Sequence, residues 1–167
     1  ARYLAGIIAG MTTESDKIGY VAAMSNNEVN RGINAFTLGV KSVNENAGVV
    51  VAWTESWDDE QAERQATRNL IEQVGADVVT YHQNQNYVIQ EADAKGVASI
   101  GYHKQFEGFS EQYLTSTVYN LKPVYSELIK EFMKGKGNSR VNYWIGIEKG
   151  AVGLSAYSEK VTSEMRM

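Results

Sequence analysis

Cysteine is absent from the 167-residue chain. That removes disulfides, thiolate metal ligands and a cysteine nucleophile together, and says nothing of compartment. Proline occurs once, so a proline-rich linker or disordered tail is excluded. Basic residues are in deficit, with 16 Lys+Arg against 20 Asp+Glu and a formal net charge of −4. A nucleic-acid surface would need clustered positive charge, so no nucleic-acid partner is expected. No apolar run reaches the ~18 residues of a membrane-spanning helix. The stretch from Tyr3 to Met11 is broken by Gly6 and Gly10 and is too short and weakly flanked for a secretory signal. Catalytic signatures are lacking too. There is no G-x-x-x-x-G-K-[ST] phosphate loop, no G-x-S-x-G elbow and no H-E-x-x-H. The two histidines, His82 and His103, have no carboxylates beside them in sequence and make a poor metal constellation. No enzyme, no metal and no cofactor is expected.

What remains is ordinary globular composition, 43% hydrophobic and 22% charged, with length for one domain and a proper core. Gly6-x-x-x-Gly10 reads as a site of close helix packing. Lys17 to Met24 is a first strand, and Ser25-Asn26-Asn27-Glu28 reads as a capping box. Val29, Ile33, Phe36 and Val40 then follow at helical spacing. Val49 to Thr54 is a β-branched second strand that should bury Trp53. Asp58 and Asp59 suit a helix N-terminus. Ala62, Ala66, Leu70, Ile71 and Val74 form that helix's buried stripe, Gly75 ends it, and its charged residues are assigned to a solvated face. Further strands are expected over Asp77 to Tyr81, Val97 to Tyr102 and Leu114 to Val118, with helices over Asn86 to Lys95 and Lys122 to Lys134. Val141 to Ile147 is read as a final strand in a hairpin with Ala151 to Leu154, and the last dozen residues as helical. Alternating strands and helices imply a three-layer α/β sandwich with a mainly parallel sheet. The division is a helix over 1–16, a Rossmann-like ligand-binding lobe over 17–154 and a C-terminal segment over 155–167.

Ligands bind beyond the carboxyl ends of strands in open parallel sheets. That rule selects Ser25, Asn26 and Asn27 after the first strand, Ser56 and Trp57 after the second, His82, Gln83 and Asn84 after the third, His103 and Lys104 after the fourth, and Tyr119 and Asn120 after the fifth. Amides and aromatic faces suit a flat, neutral, hydrogen-bonding ligand better than a phosphate. Trp57 should lie at this edge, partly exposed.

The segments ARYLAGIIAGMTTESDKIGYVAAM, EVNRGINAFTLGVKSVN, WTESWDDEQAERQATRNLIEQVGADVV, IGYH, LTSTVYN and YWIGIEKGAVGL resemble, in order, the BMP family. These are basic membrane lipoproteins, purine-nucleoside-receptor-like substrate-binding proteins of ABC importers. The resemblance implies one lobe of a type I periplasmic-binding-protein fold, the C-terminal one, with an N-terminal lobe as its partner across a ligand cleft. It implies a purine base such as adenine, or a nucleoside, as ligand, an ABC permease as partner, and an extracytoplasmic, lipid-anchored location. Trp57 matches the aromatic residue that stacks on the base. Tyr119 and Asn120 match a pair at the mouth of the fifth strand, and Met24 falls where the family has G-G or G-M. Gly101-Tyr102-His103 stands where nucleoside-binding members resemble G-V-D, whose Asp holds ribose hydroxyls, which leans the expectation toward a free nucleobase. The effector domain of a transcription regulator shares this fold and is the alternative. An isolated lobe is expected to self-associate through Trp57, Tyr119 and the 1–11 helix.

Overall fold

A computed structural model describes residues 1–136 and 143–166. Six strands form one sheet: β1 (Lys17–Ala22), β2 (Gly48–Trp53), β3 (Val78–His82), β4 (Ala98–Gly101), β5 (Tyr113–Tyr119) and β6 (Val152–Leu154). Their spatial order is β2-β1-β3-β4-β5-β6. All pairs are parallel except β5 with β6. The chain leaves β1 toward β2 on one side, then returns to β3 on the other. The sheet's topological switch point is therefore between β1 and β3, where crevices open at the carboxyl edge.

The pleat sorts apolar side chains to two faces. Ile18, Tyr20, Ala22, Val78 and Ile100 pack with Ala5, Ile8 and Ala9 of α1 (Arg2–Thr12) and with Val29, Phe36 and Val40 of α2 (Asn27–Val43). Val21, Val79 and Tyr81 pack on the other face with Leu70, Val88, Ile89 and Ala92. These come from α3 (Glu60–Asn69), its π-helical continuation Leu70–Val74, and α4 (Tyr87–Ala94). The three-layer α/β sandwich is thus observed.

Glycine sets the spacing of α1 and α2. A Cβ on Gly6 would lie 2.0 Å from the Phe36 carbonyl oxygen, and one on Gly39 would lie 2.0 Å from that of Tyr3. Only hydrogen fits at either crossing, as Gly6-x-x-x-Gly10 suggested. Asp77 ties the loop after α1 to the start of β3. Its carboxylate accepts from the Thr13 hydroxyl at 2.6 Å and from the Glu14 and Ser15 amides at 2.7 and 2.8 Å. Burial alone would raise this carboxyl's pKa, but the hydrogen bonds win and hold it below the usual value. Asp77→Ala should cost about 2 kcal/mol in a denaturant melt at neutral pH, because two amides and a hydroxyl lose an ionised acceptor. The loss should shrink as pH falls and the parent carboxylate becomes protonated.

Several expectations need correction. Trp53 is 38% exposed, because β2 is an edge strand with a neighbour on one side only and Trp53 is its last residue. The helix α2 is capped by Asn26, one residue later than a capping box from Ser25 to Glu28 would place it. The hairpin over Val141 to Ile147 is not formed: β6 pairs antiparallel with β5 instead, and Ile147–Lys149 is a short 3-10 turn. Residues 141–142 of that expected strand lie outside the described residues. The last residues are turns, not helix, held by Ser155 against Thr115 and Ser116 and by a fully buried Val161. Glu63 of α3 is fully buried rather than solvated. The 1–11 helix is mostly core, with residues 5–10 buried, and its large exposed apolar side chains are Tyr3 and Met11.

Candidate functional site

Beyond the carboxyl ends of β1, β3 and β4 lies an open cleft of about 460 Å³, within the size range of small-molecule sites. Trp57, His82, Gln83, Asn84, His103 and Lys104 line it, as the strand-end rule selects, together with Glu28, Tyr102 and Phe106. Tyr119 lines an adjoining cavity of about 540 Å³ that shares Glu28, His82 and Tyr102 with the first. Met24, Asn26 and Asn120 line neither of these two cavities. Met24 sits exposed past β1. Asn26 spends its side-chain oxygen on the Glu28 and Val29 amides at 3.0 Å. Asn120 accepts from the Lys122 amide at 3.2 Å.

The site's main feature is a chain of flat rings along the sheet edge. The Trp57 and His82 centroids are 5.8 Å apart at 73°, and His82 and Tyr102 are 4.3 Å apart at 55°. Tyr102 meets His103 at 5.7 Å and Tyr119 at 6.2 Å, and His103 meets Tyr119 at 5.2 Å. The Asn84 amide donates to the Trp57 carbonyl at 3.0 Å, which joins the loop after β2 to the loop after β3. His103 adopts a left-handed backbone with φ 75°, a conformation that sets its ring beside Tyr119 at a cost typical of functional loops.

Arg2 is the member that strand-end reasoning misses, because it comes from the first turn of α1. A lone charged residue heading an apolar helix is the only sequence trace of it. Its guanidinium is 4.0 Å from the Tyr102 ring centroid and 5.5 Å from that of Tyr20, and Nη1 donates to the Tyr81 carbonyl at 3.0 Å. Burial, then the charge of Arg2, then His103, press the His82 pKa down to about 3. His82 is therefore a neutral imidazole across the ordinary pH range. Burial raises the Tyr102 phenol well above its usual value. The cleft presents uncharged aromatic faces with amides at the rim, and it assembles no metal-ligating cluster among the described residues.

A doubly wound sheet with an open, ring-lined cleft at its switch point is the architecture of a ligand-binding lobe of the periplasmic-binding-protein type. The family model for Bmp, described as ABC transporter substrate-binding protein PnrA-like, matches residues 1–166, and the chain belongs to that family. The family's business is binding substrate, not transforming it. An ABC transporter glucose-binding protein named in Haloferax volcanii is 35% identical over 99% of this chain and 42% of its own length. A purine-binding protein of Brucella abortus is 33% identical over 94% of this chain and 45% of its own. Among solved structures, a transcriptional activator of the comK gene from Bacillus halodurans has a TM-score of 0.83 at 25% identity, covering 99% of this chain and 57% of that one. The chain spans about half the length of the curated relatives it matches.

Proposed function

We propose that this chain forms one wall of the ligand cleft in the receptor of an ABC importer, and that the ligand is a purine, as the free base rather than the nucleoside. The observation that carries the reading is the run of rings from Trp57 through His82 and Tyr102 to Tyr119. A planar heterocycle lying on such a surface stacks on the ring faces, and the rim amide of Asn84 reaches its polar edge. His103 in place of an acidic residue leaves ribose hydroxyls without a carboxylate partner there. The Brucella relative's name supports a purine, whereas the Haloferax relative's name points to a sugar, so glucose belongs in every binding test.

In this reading a second lobe closes over the cleft by a hinge motion, and the closed receptor delivers ligand to a permease. Receptors of this class work outside the cytoplasmic membrane, and lipid anchoring belongs to the same proposal. A cleft with one wall leaves most of a ligand in water, whereas tight sites bury ~70–90% of it. This chain alone should therefore bind purines only in the millimolar range or more weakly, and its exposed Tyr119 and Trp144 suit pairing with another copy. A second reading, an effector-binding lobe of a transcription regulator, is favoured by the Bacillus halodurans likeness.

Trp57→Ala in the two-lobe protein should weaken purine binding by roughly 1–3 kcal/mol, the scale of base–aromatic stacking. Titration calorimetry measures it, and a thermal melt reports the fold separately. Unchanged affinity would remove Trp57 from the site, and glucose binding in place of purine would overturn the choice of ligand.

A further inference from the structure

Beneath the aromatic floor lies a second, smaller feature that stacking does not use. Arg2, Tyr20 and His82 are respectively 7%, 0% and 4% exposed. Arg2 Nε and Nη2, the Tyr20 hydroxyl and His82 Nδ1 all lack a hydrogen-bond partner. Three of these orphans face the same side of Gly32 of α2. The position a Cβ would take on Gly32 lies 3.4 Å from His82 Nδ1, 3.6 Å from Arg2 Nε and 3.6 Å from the Tyr20 hydroxyl. Any other residue at 32 would set carbon against all three. Gly32, Arg2 and His82 also line the 540 Å³ cavity, so this side of Gly32 opens on that cavity.

The electrostatics of this cage are incomplete. Arg2 makes no ion pair among the described residues. Its direct contacts are one carbonyl dipole and two ring faces, and the carboxylate that shares its cavity, Glu28, makes no ion pair with it. A buried cation without a counter-charge, and buried donors without acceptors, are both costly. An anion would answer both deficits, whereas a neutral acceptor oxygen would answer only the second. Arg2 offers two N–H donors, Tyr20 a rotatable O–H, and neutral His82 an N–H in its Nδ1-protonated tautomer.

We propose that the Gly32 cage is a binding site for a small anion or a strongly electron-rich acceptor atom, held by Arg2, Tyr20 and His82. Two sources share that chemistry: a free halide ion, and the oxo oxygen of a ligand seated in the cleft above. The second source rests on the purine reading and turns it toward 6-oxopurines and away from adenine. The first does not depend on that reading.

The test uses the full chain, its Gly32→Ala variant, which sets a methyl against all three orphans, and Arg2→Met, which removes the charge while keeping a long apolar stem. Thermal melts compare sodium bromide with sodium gluconate at equal ionic strength, and bromide-soaked crystals are examined for an anomalous peak beside Gly32. A halide source predicts a peak and a rise in melting temperature of about 3 °C near ten times the dissociation constant, both absent in the two variants. An oxo source predicts no bromide effect, but at least tenfold tighter binding of hypoxanthine than adenine, with that preference lost in both variants. A bromide peak without purine binding still supports the cage and sinks only the purine reading. If the parent shows neither a halide effect nor an oxo preference, or if the variants keep them in full, the cage is not an anion site.

Discussion

Replacing Gly39 by alanine is expected to lower the melting temperature by roughly 5–10 °C, although alanine is the better helix former. The added Cβ would sit 2.0 Å from the Tyr3 carbonyl oxygen and 3.1 Å from the Gly6 Cα. Both obstacles are backbone, so no side chain can rotate away. The helices must part by about an ångström, and α1 carries Ile8 and Ala9, which are fully buried against the sheet. Overpacking of this kind costs about 1–3 kcal/mol and sometimes more. Removing glycine from a helix interior returns about 1 kcal/mol, so, with backbone obstacles placing the overpacking cost at or just above the top of that range, a net loss of about 2–3 kcal/mol is expected. Gly6→Ala meets Phe36 in the same way. The double variant should lose less than the sum, because helices already parted by one Cβ have room for the second. Additive losses, or a rise in melting temperature with Gly39→Ala, would show that the α1–α2 spacing is soft.

Glu63→Gln should act in the opposite sense, stabilising the fold by up to about 3 kcal/mol at pH 8 and by little near pH 4.5. Glu63 is fully buried, and neither carboxylate oxygen has a partner. Burial raises its pKa from 4.5 to about 7, against the opposing pull of the nearby Asp59 backbone amide, while the Asp58 and Asp59 carboxylates add to the rise and Arg64 opposes it. Tyr81, whose phenol also lacks a partner, faces it from β3. A carboxyl whose pKa is raised on folding binds its proton more tightly in the native state. Native stability therefore falls as pH climbs from about 4.5 to about 7 and stays lower above it. His82 runs the other way: its pKa of about 3 in the fold means stability present above about 6.5 is lost as pH falls. The two partly cancel between pH 4.5 and 6.5. The informative quantity is thus the difference between variant and parent in urea melts across pH, in which His82 drops out. A difference independent of pH would mean that Glu63 does not titrate in this window.

The strand–helix alternation was legible because each β-branched run is bounded by polar turns and each helix carries a 3.6-residue stripe. Parallel pairing follows from that alternation, whereas the antiparallel addition of β6 does not: Val152–Leu154 is three residues long, too short to declare its neighbour. Trp53 misled because a β-branched run does not announce whether its strand is central or at an edge. Glu63 misled because charged residues on an amphipathic helix normally face water, and its burial depends on α3 packing over β1 and β2 and beside α4. At the site, strand-end logic reached Trp57, His82, Asn84, His103 and Tyr119, since those loops must open at one edge. Asn26 and Asn120, which it also selected, lie outside both cavities with their side-chain oxygens accepting from nearby backbone amides, and it did not select Arg2, which reaches the edge from α1, ahead of every strand.

The most direct test of the account is a nuclear magnetic resonance titration of this chain with a purine base, observing the tryptophan indoles, histidine rings and side-chain amides. The account predicts shifts confined to Trp57, His82, Asn84 and His103, rising toward saturation in the millimolar range, with Trp53 and Trp144 unmoved and D-glucose silent. Shifts centred on Trp53 and Gln65 in the groove between β2 and α3, or a response to glucose and none to the purine at Trp57 and His103, would contradict it.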